Sequence, residues 1–186
     1  VDTVYFVGCG GSLSGFFPAK YFLSCEAKKL KVGYINANEF VHATPKEIGA
    51  NAVVILASQR GDTAETVKAC QAANEKGAAT VGLTFQVPSP LADSAQHVIL
   101  YEFGDDSIVE NQKTSYGFKM ALELLHQIEG YAGYDAMVKA LGSLNEIVVK
   151  AKKDIVPFAI KYAWEFKDDS VIYTMGSGPC WGSAHQ

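Results

Sequence analysis

A chain of 186 residues, 48% hydrophobic and 19% charged, carries enough apolar material for one compact domain with a buried core. Its formal net charge of −4 offers no basic field to nucleic acid or an anionic membrane surface, and no apolar run reaches the roughly 18 to 20 residues of a spanning helix. The widely spaced Cys9, Cys25, Cys70 and Cys180 form no Cys-x-x-Cys pair, which argues against a zinc site or a dense disulfide framework and fits reduced thiols in a cytoplasmic protein.

Residues 3–7 (TVYFV) form a β-branched and aromatic run that ends in Gly8-Cys9-Gly10-Gly11-Ser12 and precedes a helical stretch over 14–29. The same grammar predicts strands over 31–35, 52–57, 79–84 and 97–101, with helices over 62–76 and 108–129. Near-continuous apolar strands alternating with helices indicate an α/β fold: a doubly wound, five-stranded parallel sheet in flavodoxin-like order, an α-β-α sandwich. Ligands of such a sheet bind outside the carboxyl ends of its strands.

Beyond Gly130 the pattern becomes two helices, over 134–150 and 152–167, without a strand between them. Ile172-Tyr173-Thr174-Met175-Gly176-Ser177-Gly178 then echoes Val4-Tyr5-Phe6-Val7-Gly8-Cys9-Gly10. The expected division is a binding domain over 1–130, a helical connector over 131–168, and the first strand and glycine loop of a second repeat over 169–186. The opening on Val1 reads as a trimmed start, and the whole as a piece of a two-repeat protein. An unpaired strand over 172–175 and the connector residues Phe158, Tyr162, Trp164 and Phe166 favour pairing with another chain, so a homo-oligomer is expected.

Two loops carry the chemistry, Gly8-Cys9-Gly10-Gly11-Ser12 and Ser58-Gln59-Arg60-Gly61-Asp62-Thr63, because each follows a strand and opens a helix. Glycines bring backbone N–H groups close to a ligand, and a helix N-terminus adds partial positive charge. The hydroxyls of Ser12, Ser58 and Thr63 and the amide of Gln59 add uncharged donors, a set suited to phosphate. The competing reading is that Ser12, Ser58 and Asp62 or Thr63 merely cap helices. A dinucleotide fingerprint fails at Leu13, where the third glycine is needed, and at Ile35-Asn36, where an acidic residue should close the second strand. No Gly-x-x-x-x-Gly-Lys-Ser/Thr stretch is present, and no cofactor is implied.

Gly-Cys-Gly-Gly-Ser, Asn38-Glu39-Phe40 after the second strand, and Ser-Gln-Arg-Gly-Asp-Thr after the third together resemble the successive signatures of the sugar isomerase (SIS) domain family. Within it the chain looks most like the fructose-amino-acid-6-phosphate deglycases, and it is related to the isomerase half of glucosamine-6-phosphate synthase. The resemblance implies a small-molecule sugar phosphate as ligand. It places Gly11 and Ser12 in the first phosphate loop, and Ser58, Gln59 and Thr63, around Gly61, in a Ser-x-Ser-Gly-x-Thr grip. Arg60 departs from that pattern; it either contacts phosphate or points to solvent or a partner subunit, and the second is expected. Lys113 and Thr114 fall near the family's third sugar-contacting stretch, with an exposed helix-terminal lysine as the alternative.

The resemblance also implies that the catalytic glutamate and histidine lie downstream of Gln186 or come from a neighbouring subunit, so no catalytic residue is assigned within the chain. His42, His97, His126 and His185 are tens of residues apart and suggest no metal site. Glu39 is expected to serve backbone hydrogen bonding, and Cys9, without a histidine in view, packing. The expected function is phosphosugar binding in a deglycase. Aldose–ketose isomerisation or amination is the enzymatic alternative, and a sugar-phosphate sensor the alternative of another class.

Overall fold

Every strand of the sheet is a short apolar run with β-branched residues. The computed structural model, which describes residues 1–104 and 106–184, builds them as β1 (Thr3–Gly8), β2 (Lys31–Asn36), β3 (Ala52–Ala57), β4 (Ala79–Thr84) and β5 (His97–Leu100). All pair in parallel in the order β2-β1-β3-β4-β5, with Val4 opposite both Val32 and Val53. This is the flavodoxin-like order expected. The central β3 is buried along its whole length, as a strand covered on both faces must be.

Period-two alternation divides the core. Val4, Phe6, Val53 and Ile55 face α2 (Phe17–Glu26) and α6 (Lys113–Glu129), where Phe22, Leu23, Leu122 and Leu125 close the layer. Val7, Val54 and Leu56 face the opposite way, onto α3 (Ala37–His42), α4 (Ala64–Glu75) and α5 (Pro90–Ser94), through Phe40, Ala69 and Leu91. From β1 the chain steps outward to β2 and then returns to β3 on β1's other side. The sheet's direction of growth therefore reverses between β1 and β3, and a crevice opens at their carboxyl ends.

Several boundaries differ from the sequence reading, each through a contact from far along the chain. The first predicted helix is split into α1 (Gly11–Ser14) and α2, with Phe16 turned fully into the core between them. It ends at Glu26 because the Glu129 carboxylate accepts the N–H groups of Lys28, Lys29 and Leu30 at 2.9, 2.9 and 2.8 Å. Those donors hold the Glu129 carboxyl below the ordinary carboxylate range, so it remains the charged acceptor the turn needs. The predicted helix over 108–129 begins as a 3-10 turn, Val109–Asn111, before α6.

The connector helices are α7 (Tyr134–Gly142) and α8 (Leu144–Glu165), so the break falls at Ser143 and not near 151. There Asn145 is held from outside the connector: its N–H donates to Glu110 Oε1 at 2.8 Å, and its side-chain oxygen accepts the Val109 N–H at 3.2 Å. The expected strand over 172–175 is absent. Among the described residues it has no neighbouring strand to exchange hydrogen bonds with, and Tyr173 and Met175 are 85% and 93% exposed. The chain then enters a 3-10 turn, Gly178–Cys180, and α9 (Trp181–Ala184), with Trp181 packed on Phe17 of α2 at 4.6 Å between ring centroids. Among the described residues no helix is long and apolar enough to cross a membrane.

Candidate functional site

Both glycine loops open onto the crevice between β1 and β3. In the first, Gly10 takes φ 50° and ψ −131°, a conformation suited to glycine, and its carbonyl accepts the N–H groups of Leu13 and Ser14, each at 3.0 Å. Ser12 N–H closes back on Cys9 O at 3.1 Å, so the loop is a self-bonded turn that presents Gly11 and Ser12 outward.

The second loop is tied to the end of β4. Ser58 N–H donates to Leu83 O at 3.1 Å, while Gln59 O accepts both the Phe85 N–H at 3.1 Å and the Thr84 hydroxyl at 3.0 Å. Gly61 O accepts the Leu91 N–H at 2.9 Å. A loop fixed at both ends in this way holds its side chains in place before any ligand arrives.

The two loops and the start of α6 line one cleft of about 630 Å³. Cys9, Gly11 and Ser12 come from the first loop, Gln59, Arg60, Asp62 and Thr63 from the second, and Lys113 from α6. Of the residues singled out from the sequence, Ser58 does not reach the surface: it is 1% exposed, and its hydroxyl lies 2.9 Å from Thr63 Oγ1. It supports Thr63 from below. Gly61 is likewise buried, and Thr114 lines an adjoining cavity instead. Arg60 is exposed to solvent and also forms part of the cleft wall. Glu39 and His42 are on α3 and are not part of the lining, and His185 lies outside the described residues.

The capping reading keeps support only at Ser58, whose Oγ accepts the Thr63 N–H at 3.4 Å. Thr63 stands at the N-cap of α4, but its side chain makes no cap hydrogen bond, and α1 is preceded by Gly10, which has no side chain to offer. Among the described residues, Ser12 Oγ, the Gln59 amide and the Arg60 guanidinium have no protein partner, so they remain available to a ligand.

Lys113 adds a cation that its position in sequence only hinted at. Its Nζ donates to Gly11 O at 2.7 Å, bridging 102 residues, and burial pushes its amine below the ordinary lysine range. The cleft thus combines two cations with hydroxyl and amide donors at the positive end of α4, against the single carboxylate of Asp62. Such a surface suits an anion, and its hydroxyl, amide and cationic donors are those that pair with phosphate oxygens. Among the described residues no three of His, Cys, Asp and Glu gather at metal-binding range. A second cavity of about 560 Å³ between α6 and α7 is mainly apolar, with Met120, Leu122, Val138 and Leu141 in its wall, and among its donors Lys119 and Tyr134 are already bonded to Glu110 O and Glu123 Oε2.

Known proteins resemble the chain over its whole length. The SIS domain model matches residues 1–127. The chain is 37% identical over 187 residues to the fructosamine deglycase FrlB of Bacillus subtilis (strain 168), covering 100% of this chain and 56% of that protein. It is 30% identical over 193 residues to the fructoselysine 6-phosphate deglycase of Escherichia coli O157:H7, covering 96% of this chain and 52% of that one. A crystal structure of a protein described as a phosphosugar isomerase, from Salmonella typhimurium LT2, superposes with a TM-score of 0.98 at 52% identity, over 100% of this chain and 56% of that one. The chain spans about half the length of the relatives it matches.

Proposed function

This chain belongs to the SIS domain family, and from that premise we propose that it is the phosphosugar-binding half of a deglycase acting on 6-phosphorylated fructosamines. The observation that carries the reading is the convergence of two hydrogen-bonded loops and Lys113 on one cleft rich in donors, at the reversal point of the sheet. In this reading Ser12, Gln59 and Thr63 donate to the phosphate oxygens, Arg60 and Lys113 balance its charge, and Gly11 leaves room for the ligand. Ser58 acts as a positioning residue through Thr63.

Deglycation is the hydrolysis of the C–N bond, releasing a sugar phosphate and an amine. The cleft's part is to anchor and orient the substrate by its phosphate, so that binding energy taken at C6 fixes the position of C1. The proton-transfer groups are assigned to polypeptide outside these 186 residues or to a neighbouring subunit.

Titration calorimetry with fructose 6-phosphate tests the anchor. Thr63→Ala should weaken binding by roughly 1 to 3 kcal/mol, the loss for a hydrogen bond to a charged acceptor; Ser58→Ala, which removes only the support beneath Thr63, should weaken it less, and unphosphorylated fructose should bind far more weakly to every form. Unchanged affinity in both variants would place the phosphate elsewhere.

The same reading includes a homo-oligomer. Its support is α8, which exposes Phe158 at 67% and Trp164 at 70% beside Ile155 and Ile160, an apolar surface that another chain would cover. Sedimentation at rising concentration should show association; a monomer throughout, binding no hydrophobic dye, would remove this part of the proposal.

A further inference from the structure

A cavity of about 420 Å³ adjoins the phosphate cleft and shares Gln59 and Lys113 with it. Its far wall comes from the segment after β5, to which the sequence pattern assigns no role. Tyr101, buried there, is pushed up to about 12 by that burial, so its phenol is neutral. Among the described residues that line this cavity, Glu102 is the one carboxylate.

The Glu102 carboxylate is held in one orientation. Its Oε2 accepts the Ile108 N–H at 2.9 Å and its Oε1 accepts Asn111 Nδ2 at 2.9 Å, which keeps the carboxyl below its ordinary range. Among the described residues it pairs with no cation. Each carboxylate oxygen accepts about two hydrogen bonds, so capacity remains on both. Next to it Phe103 is 64% exposed but not loose: its ring stacks on Phe85 at 5.4 Å and 22°. A fixed carboxylate without a counter-ion beside a fixed aromatic face suits an ammonium carried on an alkyl stem.

Building on the phosphosugar reading, we propose that this cavity receives the amine-bearing end of the substrate, with Glu102 pairing its ammonium and Phe103 covering the adjoining alkyl chain. A fructosamine 6-phosphate carries its anion at C6 and its ammonium at C1. Charges follow the matching order across the two neighbouring cavities: Arg60 lines the cleft alone, Lys113 lines both cavities, and Glu102 lines the second alone. Glu102 is thereby a specificity-determining residue, which favours glycated amines over the plain sugar phosphate.

Titration calorimetry on the chain with three ligands decides this: fructose 6-phosphate, fructoselysine 6-phosphate, and an analogue of the latter whose C1 nitrogen and lysine α-amine are both N-acetylated and uncharged. The wild type should bind the amine roughly tenfold more tightly than the other two. Glu102→Gln should hold fructose 6-phosphate within about twofold of the wild type and lose the preference for the amine. Equal wild-type affinity for the amine and its acetylated form would overturn the proposal while leaving the phosphate anchor standing, and so would a preference that survives in Glu102→Gln. Should the variant bind nothing, the wild-type comparison, which needs no substitution, decides alone. A wild type that binds none of the three overturns the phosphosugar reading and this inference with it.

Discussion

Gly61→Val is expected to abolish sugar-phosphate binding and to cost the fold about 2–4 kcal/mol, through left-handed strain and overpacking together. Gly61 has φ 72°, and a Cβ there would stand 2.2 Å from Ser89 Oγ and 2.6 Å from Ser89 Cβ. Ser89 cannot withdraw cheaply, because its hydroxyl accepts the Ala92 N–H at the start of α5 and the residue is buried. The alternative is for the loop to move, which would break Gly61 N–H to Ser58 O at 3.2 Å and pull Gln59 and Thr63 out of the cleft. Denaturant unfolding measures the first effect and calorimetric titration with fructose 6-phosphate the second. A variant with wild-type midpoint and affinity would show that the loop is not a rigid anchor.

Lys113→Met should lower affinity for fructose 6-phosphate by roughly 10- to 100-fold, since it removes a partly desolvated charge from the site of a dianion. The pH profile separates this role from packing. Burial disfavours the charged amine, so in the free chain it loses its proton at a lower pH than an exposed lysine would. A phosphate binds the protonated form better, so wild-type affinity falls as pH rises through that lowered value. The methionine variant should be weak and flat over the same alkaline range. Equal affinities with matching profiles would remove Lys113 from the phosphate site.

How far the site is legible in the sequence can be seen in Ser58 and Thr63. Their hydroxyls are recognisable together because a strand, a glycine turn and a helix are written within a few residues. Which one faces the ligand is not, because that depends on the 2.9 Å contact placing Ser58 beneath Thr63. Glu102 leaves no signal at all. Its fixed orientation comes from Ile108 and Asn111, and its neighbourhood to the cleft comes from α6 folding back across the sheet.

The five strands and the two glycine loops were determined by the sequence itself, because each rests on local rules: apolar β-branched runs, their alternation with helices, and turns that need glycine. β3 and β4 lie at the residues read from the pattern, Ala52–Ala57 and Ala79–Thr84. Contacts between distant residues were decided only by the tertiary structure. The Glu129 clamp ends α2 from 101 positions away, and Lys113 reaches the Gly11 carbonyl across 102. The run over 172–175 shows the same limit from the other side, since its strand-forming composition matches that of β1. A strand is completed only by hydrogen bonds to a neighbour, and among the described residues none stands beside it.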